Sequence, residues 1–530
     1  MTSQPPEAPP PLSAAEHKRL DRSFIKGVAW TGASKYSIQI FTWVATVVSA
    51  RLLTPDDYGL MAMASVYFGL ILLVSEFGLS SAIVTLRNLS ESQVAQINTL
   101  SVLLGLAGFL VSCLVAGSLG RFFDAPALPG VLTVMGFGFV ITSFQIVPSA
   151  LLQKEYRFKA ISIIGAIRAI AQSSAVVVFA WMGFRYWSLV LAALLGSSLS
   201  TGLILLVRRH RLAIPCFPSL SPILNFSGRM LMTRFSWYAY HNADFVIAGR
   251  VLGQSALGSY RVAWDLAGAP LEKVTGLICS VTPAFYSAVK QDLNTLRRYM
   301  LRPAELIALV IFPAMLGTSL VARDLVLVLL GNKWEASIPV LQLLSFFACA
   351  RSIVPLFEQV LIAVREENFV MWNAFITMIV LSISFLIGSQ WGLVGIASAW
   401  VIAYPVSAVP LYRKVCRKIG LTHTEFFHTL LPAITGSVIM SLALVGVKAI
   451  LNGHLGPVIG RIVQAGHWEL PYFLKIAAML QWLLDGHFGN IVRLVVQVAC
   501  GAVVYVLALL FFHRERLLAL RGGFAMMMRQ

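Results

Sequence analysis

The feature that most constrains this sequence is a recurring length. Apolar stretches follow one another along nearly the whole of its 530 residues, with short polar breaks between them. Each is close to the roughly 20 residues that one helix needs to cross a bilayer core about 30 Å thick. Spans are expected near 27–50, 58–80, 99–120, 131–152, 160–182, 187–207, 229–250, 262–288, 304–322, 338–363, 369–388, 393–412, 430–450 and 491–512, fourteen in all. The second contains Glu76 and the seventh is rich in polar residues, so these two have the least sharply marked boundaries. Only 12% of the residues are charged and 58% are hydrophobic, whereas soluble domains run near a quarter charged. The expected fold class is therefore an all-α polytopic membrane protein with no sizeable soluble domain on either side.

The net charge of +18 has a topological reading. Cytoplasmic loops retain Lys and Arg, so the side that holds them reports orientation. With the N-terminus in the cytoplasm, 25 of the 41 basic residues fall on that side and nine on the other, Arg51, Arg250, Arg261 and Lys333 among the nine. Both termini are then cytoplasmic, and no nucleic-acid partner is needed to explain the charge. Residues 1–26 form a tail rich in Pro and Ala at its start, without a cleavable signal; the first span acts as the insertion signal. The six cysteines are scattered and form no CxxC, so neither a disulfide framework nor a zinc site is expected.

The chain reads as built twice. Arg51-Leu52-Leu53 and Gly59 after the first span recur as Arg250-Val251-Leu252 and Gly258 after the seventh, at a constant offset of 199. Trp187-Ser188-Leu189-Val190 recurs as Trp391-Gly392-Leu393-Val394 at an offset of 204. Six spans separate the copies, so both halves lie in the membrane in the same sense, as in transporters built from parallel repeats. This divides the chain into an N-terminal six-helix lobe (27–215), a C-terminal six-helix lobe (216–420) and two additional helices (421–530). The last two are joined by a linker near 451–490, in which 472–485 reads as an interfacial amphipathic helix on the periplasmic side.

An ionisable group inside a span costs roughly 2.5–3.5 kcal/mol on insertion scales, so each one needs a reason. The basic set is Lys35, Arg168, Arg234, Lys273 and Arg351; the acidic set is Glu76, Asp244, Asp265, Glu272 and Glu305. Lys35 and Arg234 are also 199 apart, which puts a cation at the same height on the first helix of each lobe. One reading is a cationic cavity for an anionic head group, with Arg168, Arg351 and Lys273 as further substrate-binding candidates. The other is pairing with buried carboxylates, or snorkelling to an interface. Asp244, beside His241 in a polar stretch of the seventh span, is a candidate for ion coupling, as are Glu76, Asp265 and Glu272; a salt bridge that locks helix packing is the alternative. Pro270, Pro283, Pro313, Pro355, Pro405 and Pro410 lie in or beside spans of the second half and mark helix kinks. No nucleotide-binding, hydrolase or metal motif is present, so no enzyme activity, cofactor or metal is expected.

Several short motifs, in this order and spacing, resemble the Wzx-type polysaccharide exporters of the multidrug/oligosaccharidyl-lipid/polysaccharide flippase superfamily. They are Arg51-Leu52-Leu53-Thr54-Pro55-Asp56-Asp57-Tyr58-Gly59, Gln153 through Phe158, Asp244 through Gly253, Ala256 through Tyr260, and Gly331-Asn332-Lys333-Trp334. They cover roughly 22–420, and the nearest subgroup is the exopolysaccharide exporters similar to the colanic-acid flippase. The resemblance implies two six-helix lobes in a V around a basic cavity. It further implies movement of undecaprenyl-pyrophosphate-linked repeat units across a bacterial inner membrane, with membrane lipid, a polysaccharide polymerase and export machinery as partners. The long linker at 451–490 departs from the family's short connection. Two rivals are a multidrug or cation antiporter on the same scaffold, which would favour an acidic cavity, and a membrane-embedded polymerase or ligase using His454, His467 and His487 of the linker.

Overall fold

The computed structural model describes residues 38–76, 79–85, 89–216, 220, 235, 238, 241–451 and 486–514, and every element among them is helical. The helices are α1 (Ile38–Leu52), α2 (Pro55–Glu76), α3 (Leu79–Thr85), α4 (Glu91–Phe122), α5 (Leu128–Lys154), α6 (Phe158–Trp181) and α7 (Trp187–Val207) in the N-terminal half. The second half has α8 (241–252), α9 (Gln254–Val289), α10 (Leu293–Leu329), α11 (Ser337–Ala363), α12 (Glu367–Gly388) and α13 (Gly392–Ile419), followed by α14 (His423–Leu451) and α15 (Gly486–Phe512). Ten helical stretches among the described residues are long and apolar enough to cross a membrane, one of them, Glu367–Ile419, being two consecutive helices. The protein is a multi-pass membrane protein, as its apolar run lengths require. Lys35, Arg234 and the amphipathic segment of the 451–490 linker lie outside the described residues.

Local chemistry sets where these helices begin. Thr54-Pro55-Asp56-Asp57 starts α2 with a capping box: the Thr54 amide donates to Asp57 Oδ2 at 2.9 Å and the Asp57 amide to Thr54 Oγ1 at 3.3 Å, with proline at the first helical position. Ser90 and Gln93 do the same for α4, and Asp292 caps α10 by accepting from the amides of Asn294 and Thr295. The tryptophan pair of the repeat falls where expected, Trp187 opening α7 and Trp391 immediately preceding α13.

The repeat has a direct structural counterpart. A methyl group added at Gly59 would lie 1.8 Å from the Gln254 carbonyl oxygen, and one added at Gly258 would lie 1.8 Å from the Pro55 carbonyl oxygen. Gln254 is Pro55 shifted by 199 and Gly258 is Gly59 shifted by 199, so the contact maps onto itself under the repeat. The first turns of α2 and α9 therefore cross on a pseudo-two-fold axis, and only glycine allows the backbones so close. We call this the crossing end.

Within the N-terminal lobe, Phe68 of α2 stacks on Phe139 of α5 with ring centroids 4.4 Å apart. The chain leaving α7 runs back as a strap along α4, where the amides of Ala213 and Cys216 donate to Thr99 Oγ1 (3.0 Å) and Gln96 Oε1 (3.2 Å). The two additional helices dock on α10: Tyr505 donates to Leu309 O at 2.7 Å, Lys448 to Leu320 O at 3.0 Å and Gln497 to Asp324 at 2.9 Å.

Glu76 lies in α2, toward the end of its expected span, and one placement differs from the sequence reading. Arg261, counted above among the loop cations, is in the second turn of α9, held by Asp265 one turn later at 2.9 Å. An i,i+4 ion pair neutralises it, which is how a helix tolerates a cation there.

Candidate functional site

The candidate residues converge mainly on the C-terminal lobe, and on α9 above all. This helix is 36 residues long and carries Arg261, Asp265, Glu272 and Lys273. Asp265, Glu272 and Lys273 are all exposed. The sequence reading puts a span at 262–288, and charges exposed on such a helix are costly against hydrocarbon, which favours a polar space for the face that bears them. Lys273 marks that space as lying between the lobes, since its ammonium donates to Gln39 Oε1 of α1 at 2.6 Å.

Deeper in the same lobe lies a buried polar centre. Asp244 of α8 is fully buried. Its carboxylate accepts from the Tyr260 hydroxyl of α9 at 2.7 Å, from the Trp400 indole N–H of α13 at 3.1 Å and from the Phe245 amide at 2.9 Å. Trp400 Nε1 is also 2.9 Å from the Tyr260 hydroxyl oxygen, so the three side chains close a triangle. Three donors on one carboxylate satisfy a group that could not otherwise be buried. Asp244 lies eight residues from the end of α8, and at 1.5 Å rise per residue this puts it about 12 Å below the crossing end.

Arg351 of α11 approaches this centre from the side. Its guanidinium lies over the Trp264 ring, 5.0 Å from the centroid, and Trp264 is 5.3 Å from Trp400. Arg261 sits over the Phe245 ring at 5.5 Å. Two cations thus face an aromatic shell around one carboxylate, held by cation–π contact. His241 is half-buried, three residues before Asp244. Arg168 stands apart, exposed on α6 of the other lobe, and makes no hydrogen bond or ion pair among the described residues.

The structure therefore brings Asp244, Arg351 and Asp265 into one neighbourhood and places Lys273 and Glu272 farther along the same α9. Reasoning from sequence missed Tyr260, Trp264, Trp400 and Arg261. The repeat gives no signal for them, because the centre is not duplicated. The counterpart of Asp244 at the offset of 199 is Ala45, and that of Tyr260 is Met61, so the polar centre belongs to one lobe only.

Two lobes related by a pseudo-two-fold axis, with charged groups between them, define a polytopic transporter. The fold is similar to that of the lipid II flippase MurJ in an inward closed conformation, with a TM-score of 0.73 at 14% identity over 92% of this chain and 100% of that one. It is also similar to an inward-facing multidrug resistance MATE family transporter of the MOP superfamily, with a TM-score of 0.60 at 16% identity over 72% of this chain and 94% of that one. The chain belongs to the polysaccharide biosynthesis protein family, whose profile matches residues 48–339, more than half of its length. Among its relatives is the lipopolysaccharide biosynthesis protein WzxC of Escherichia coli (strain K12), 23% identical over 81% of this chain and 89% of that protein. Another is the succinoglycan biosynthesis transport protein ExoT of Rhizobium meliloti (strain 1021), 22% identical over 94% of each. The resemblance to Wzx-type exporters seen in the motifs is borne out.

Proposed function

We propose that this protein flips undecaprenyl-pyrophosphate-linked oligosaccharide repeat units across the bacterial inner membrane by alternating access, for exopolysaccharide or related surface polysaccharide synthesis. The observation that carries the reading is the reciprocal crossing at Gly59 and Gly258, with charged side chains exposed on α9 between the lobes. The family and the relatives' names supply the substrate class. The charge bias sets both termini in the cytoplasm, so the crossing end is periplasmic and the lobes are closed on that side.

Lys35 and Arg234 share the offset of 199 that relates the two glycines, and this supports their reading as a matched cation pair for the pyrophosphate. Lys273, at the gap between the lobes, and Arg351 and Arg168 are further contacts to the anionic substrate. Asp244, with His241, Asp265, Glu272 and Glu76 as lesser candidates, binds the coupling ion. A polymerase and export machinery would act on the product at the periplasmic face.

Deletion of the gene in its host, complemented by wild type or by Lys35→Ala with Arg234→Ala, tests this. Loss of polymer with precursor stranded on the cytoplasmic leaflet, rescued by the wild type alone, is the expected result. Unchanged polymer with altered drug sensitivity would instead favour an antiporter, and rescue by the double variant would reduce the pair to snorkelling residues.

A further inference from the structure

The crossing end carries a second, less symmetric contact between the lobes. Helix α1 ends at Leu52 and α10 at Leu329, and the last carbonyls of a helix have no donor within it. Here each end is capped by the opposite lobe. Arg51 donates from Nε to Leu329 O at 2.8 Å and from a second guanidinium nitrogen to Val328 O. Lys333 returns the contact, its ammonium donating to Arg51 O at 2.7 Å and to Leu53 O. Trp334, fully buried, donates its indole N–H to Ala50 O at 2.9 Å and meets the Tyr58 ring edge-on at 5.3 Å. Gly331, at φ +95°, makes the turn that brings Lys333 and Trp334 back over α1. Two motifs of the sequence, the one opening at Arg51 and the one closing at Trp334, thus meet each other.

The symmetry mate of this contact is built differently. Arg250 is the counterpart of Arg51 at the offset of 199. It lies over the Phe122 ring at the end of α4, 5.8 Å from the centroid, with Phe123 against Gly249. Among the described residues Arg250 makes no hydrogen bond. One arm of the crossing is held by directional hydrogen bonds; the other rests on a cation–π contact.

We propose that Arg51, Lys333 and Trp334 form a latch that holds the lobes shut at the crossing end and releases in each transport cycle, with the Arg250–Phe122 contact as the pivot; the cycle itself rests on the function proposed above. The acceptors suit a reversible device. They are main-chain carbonyls at helix ends, which water satisfies when the lobes part, so opening strands no buried charge as breaking a buried ion pair would.

The test uses the full chain in lipid nanodiscs, with its six cysteines replaced and one thiol introduced by Ala50→Cys, a position 1% exposed beneath Trp334. A hydrophilic maleimide reports opening without any substrate, so failure of the transport reading leaves this result untouched. Lys333→Met should raise the labelling rate at position 50 by at least about fivefold, and Lys333→Arg should stay near wild type. A second thiol introduced by Ala150→Cys, a fully buried position near the far end of α5, reports general loosening. Unchanged labelling at position 50 in Lys333→Met, or equal rises at both positions, would overturn the latch.

Discussion

At the scale of single residues, Asp244 shows what burial demands of a carboxylate in a membrane protein. It has no counterpart in the other lobe, and its three donors come from α8, α9 and α13. Both carboxylate oxygens accept here, so Asp244→Asn turns an amide nitrogen either to the Phe245 amide or to the Tyr260 and Trp400 donors. Leaving one buried group unpaired costs about 1–3 kcal/mol, so thermal unfolding of the purified variant in detergent should begin at a lower temperature. If Asp244 also binds the coupling ion, export by the variant in proteoliposomes should stop responding to an imposed gradient; an unchanged response would make the residue purely structural. The sequence marks Asp244 because a carboxylate beside His241 and Asn242 stands out in an apolar span. It does not show the partnership: Tyr260, 16 residues on, closes a short motif just before the expected span at 262–288, and Trp400, 156 residues away, looks like ordinary apolar packing in its own span. Lys273 stands out by its charge, but its contact with Gln39 needs the packing of two lobes and has no local signature.

At the scale of helices, two prolines explain polar contacts that would otherwise look incidental. A proline removes the hydrogen bond to the carbonyl four residues earlier. For Pro313 that carbonyl belongs to Leu309, and Tyr505 of α15 supplies a donor to it at 2.7 Å. For Pro283 it belongs to Cys279, and Gln359 of α11 donates there at 3.1 Å. The prolines are legible in the sequence; the donors that reach the carbonyls they leave free are not, since each comes from another helix. Tyr505→Phe should cost about 1 kcal/mol of stability. The same change in a Pro313→Ala background should cost less, because the substituted alanine restores a backbone amide that donates to Leu309 O. Equal losses in both backgrounds would refute the coupling. A second element-scale contact is Glu366, before α12, which is bridged by Lys418 and by Lys414 at 3.3 Å from the end of α13. Its bond to Lys418, with Lys414 beside it, holds its carboxyl below the usual glutamate range. A depressed carboxyl stabilises above the unfolded value and loses that contribution as pH falls through the folded one. The melting difference between wild type and Glu366→Gln, present at neutral pH, should therefore vanish under acid conditions; a difference that persists there would exclude the ion pairs as its source.

At the scale of the whole molecule, the repeat is what turns fourteen expected spans into a machine with an axis. Run lengths alone announce the spans, and the offset of 199 announces two copies, but neither says where the copies touch. That follows from Gly59 and Gly258, where a methyl group on either would sit 1.8 Å from a carbonyl oxygen of the other lobe. Backbone cannot yield as a flexible side chain can, so the lobes themselves must separate. Gly59→Ala and Gly258→Ala should each hold the crossing end partly open and abolish polymer export in the complemented host, while the chain still inserts and accumulates. Because the contact is reciprocal, the two variants should match each other in export and in the reactivity of a thiol introduced by Ala50→Cys, and the double variant should add little to either. A large difference between the single variants would mean that the two halves do not share the load at the axis. Normal export by both would mean that closure at this end is not a step in the cycle. The latch makes a separate demand, since its residues lie on one arm alone: Gly59→Ala should weaken it without touching Arg51, Lys333 or Trp334, so restoring the latch residues' chemistry cannot rescue an alanine at the axis.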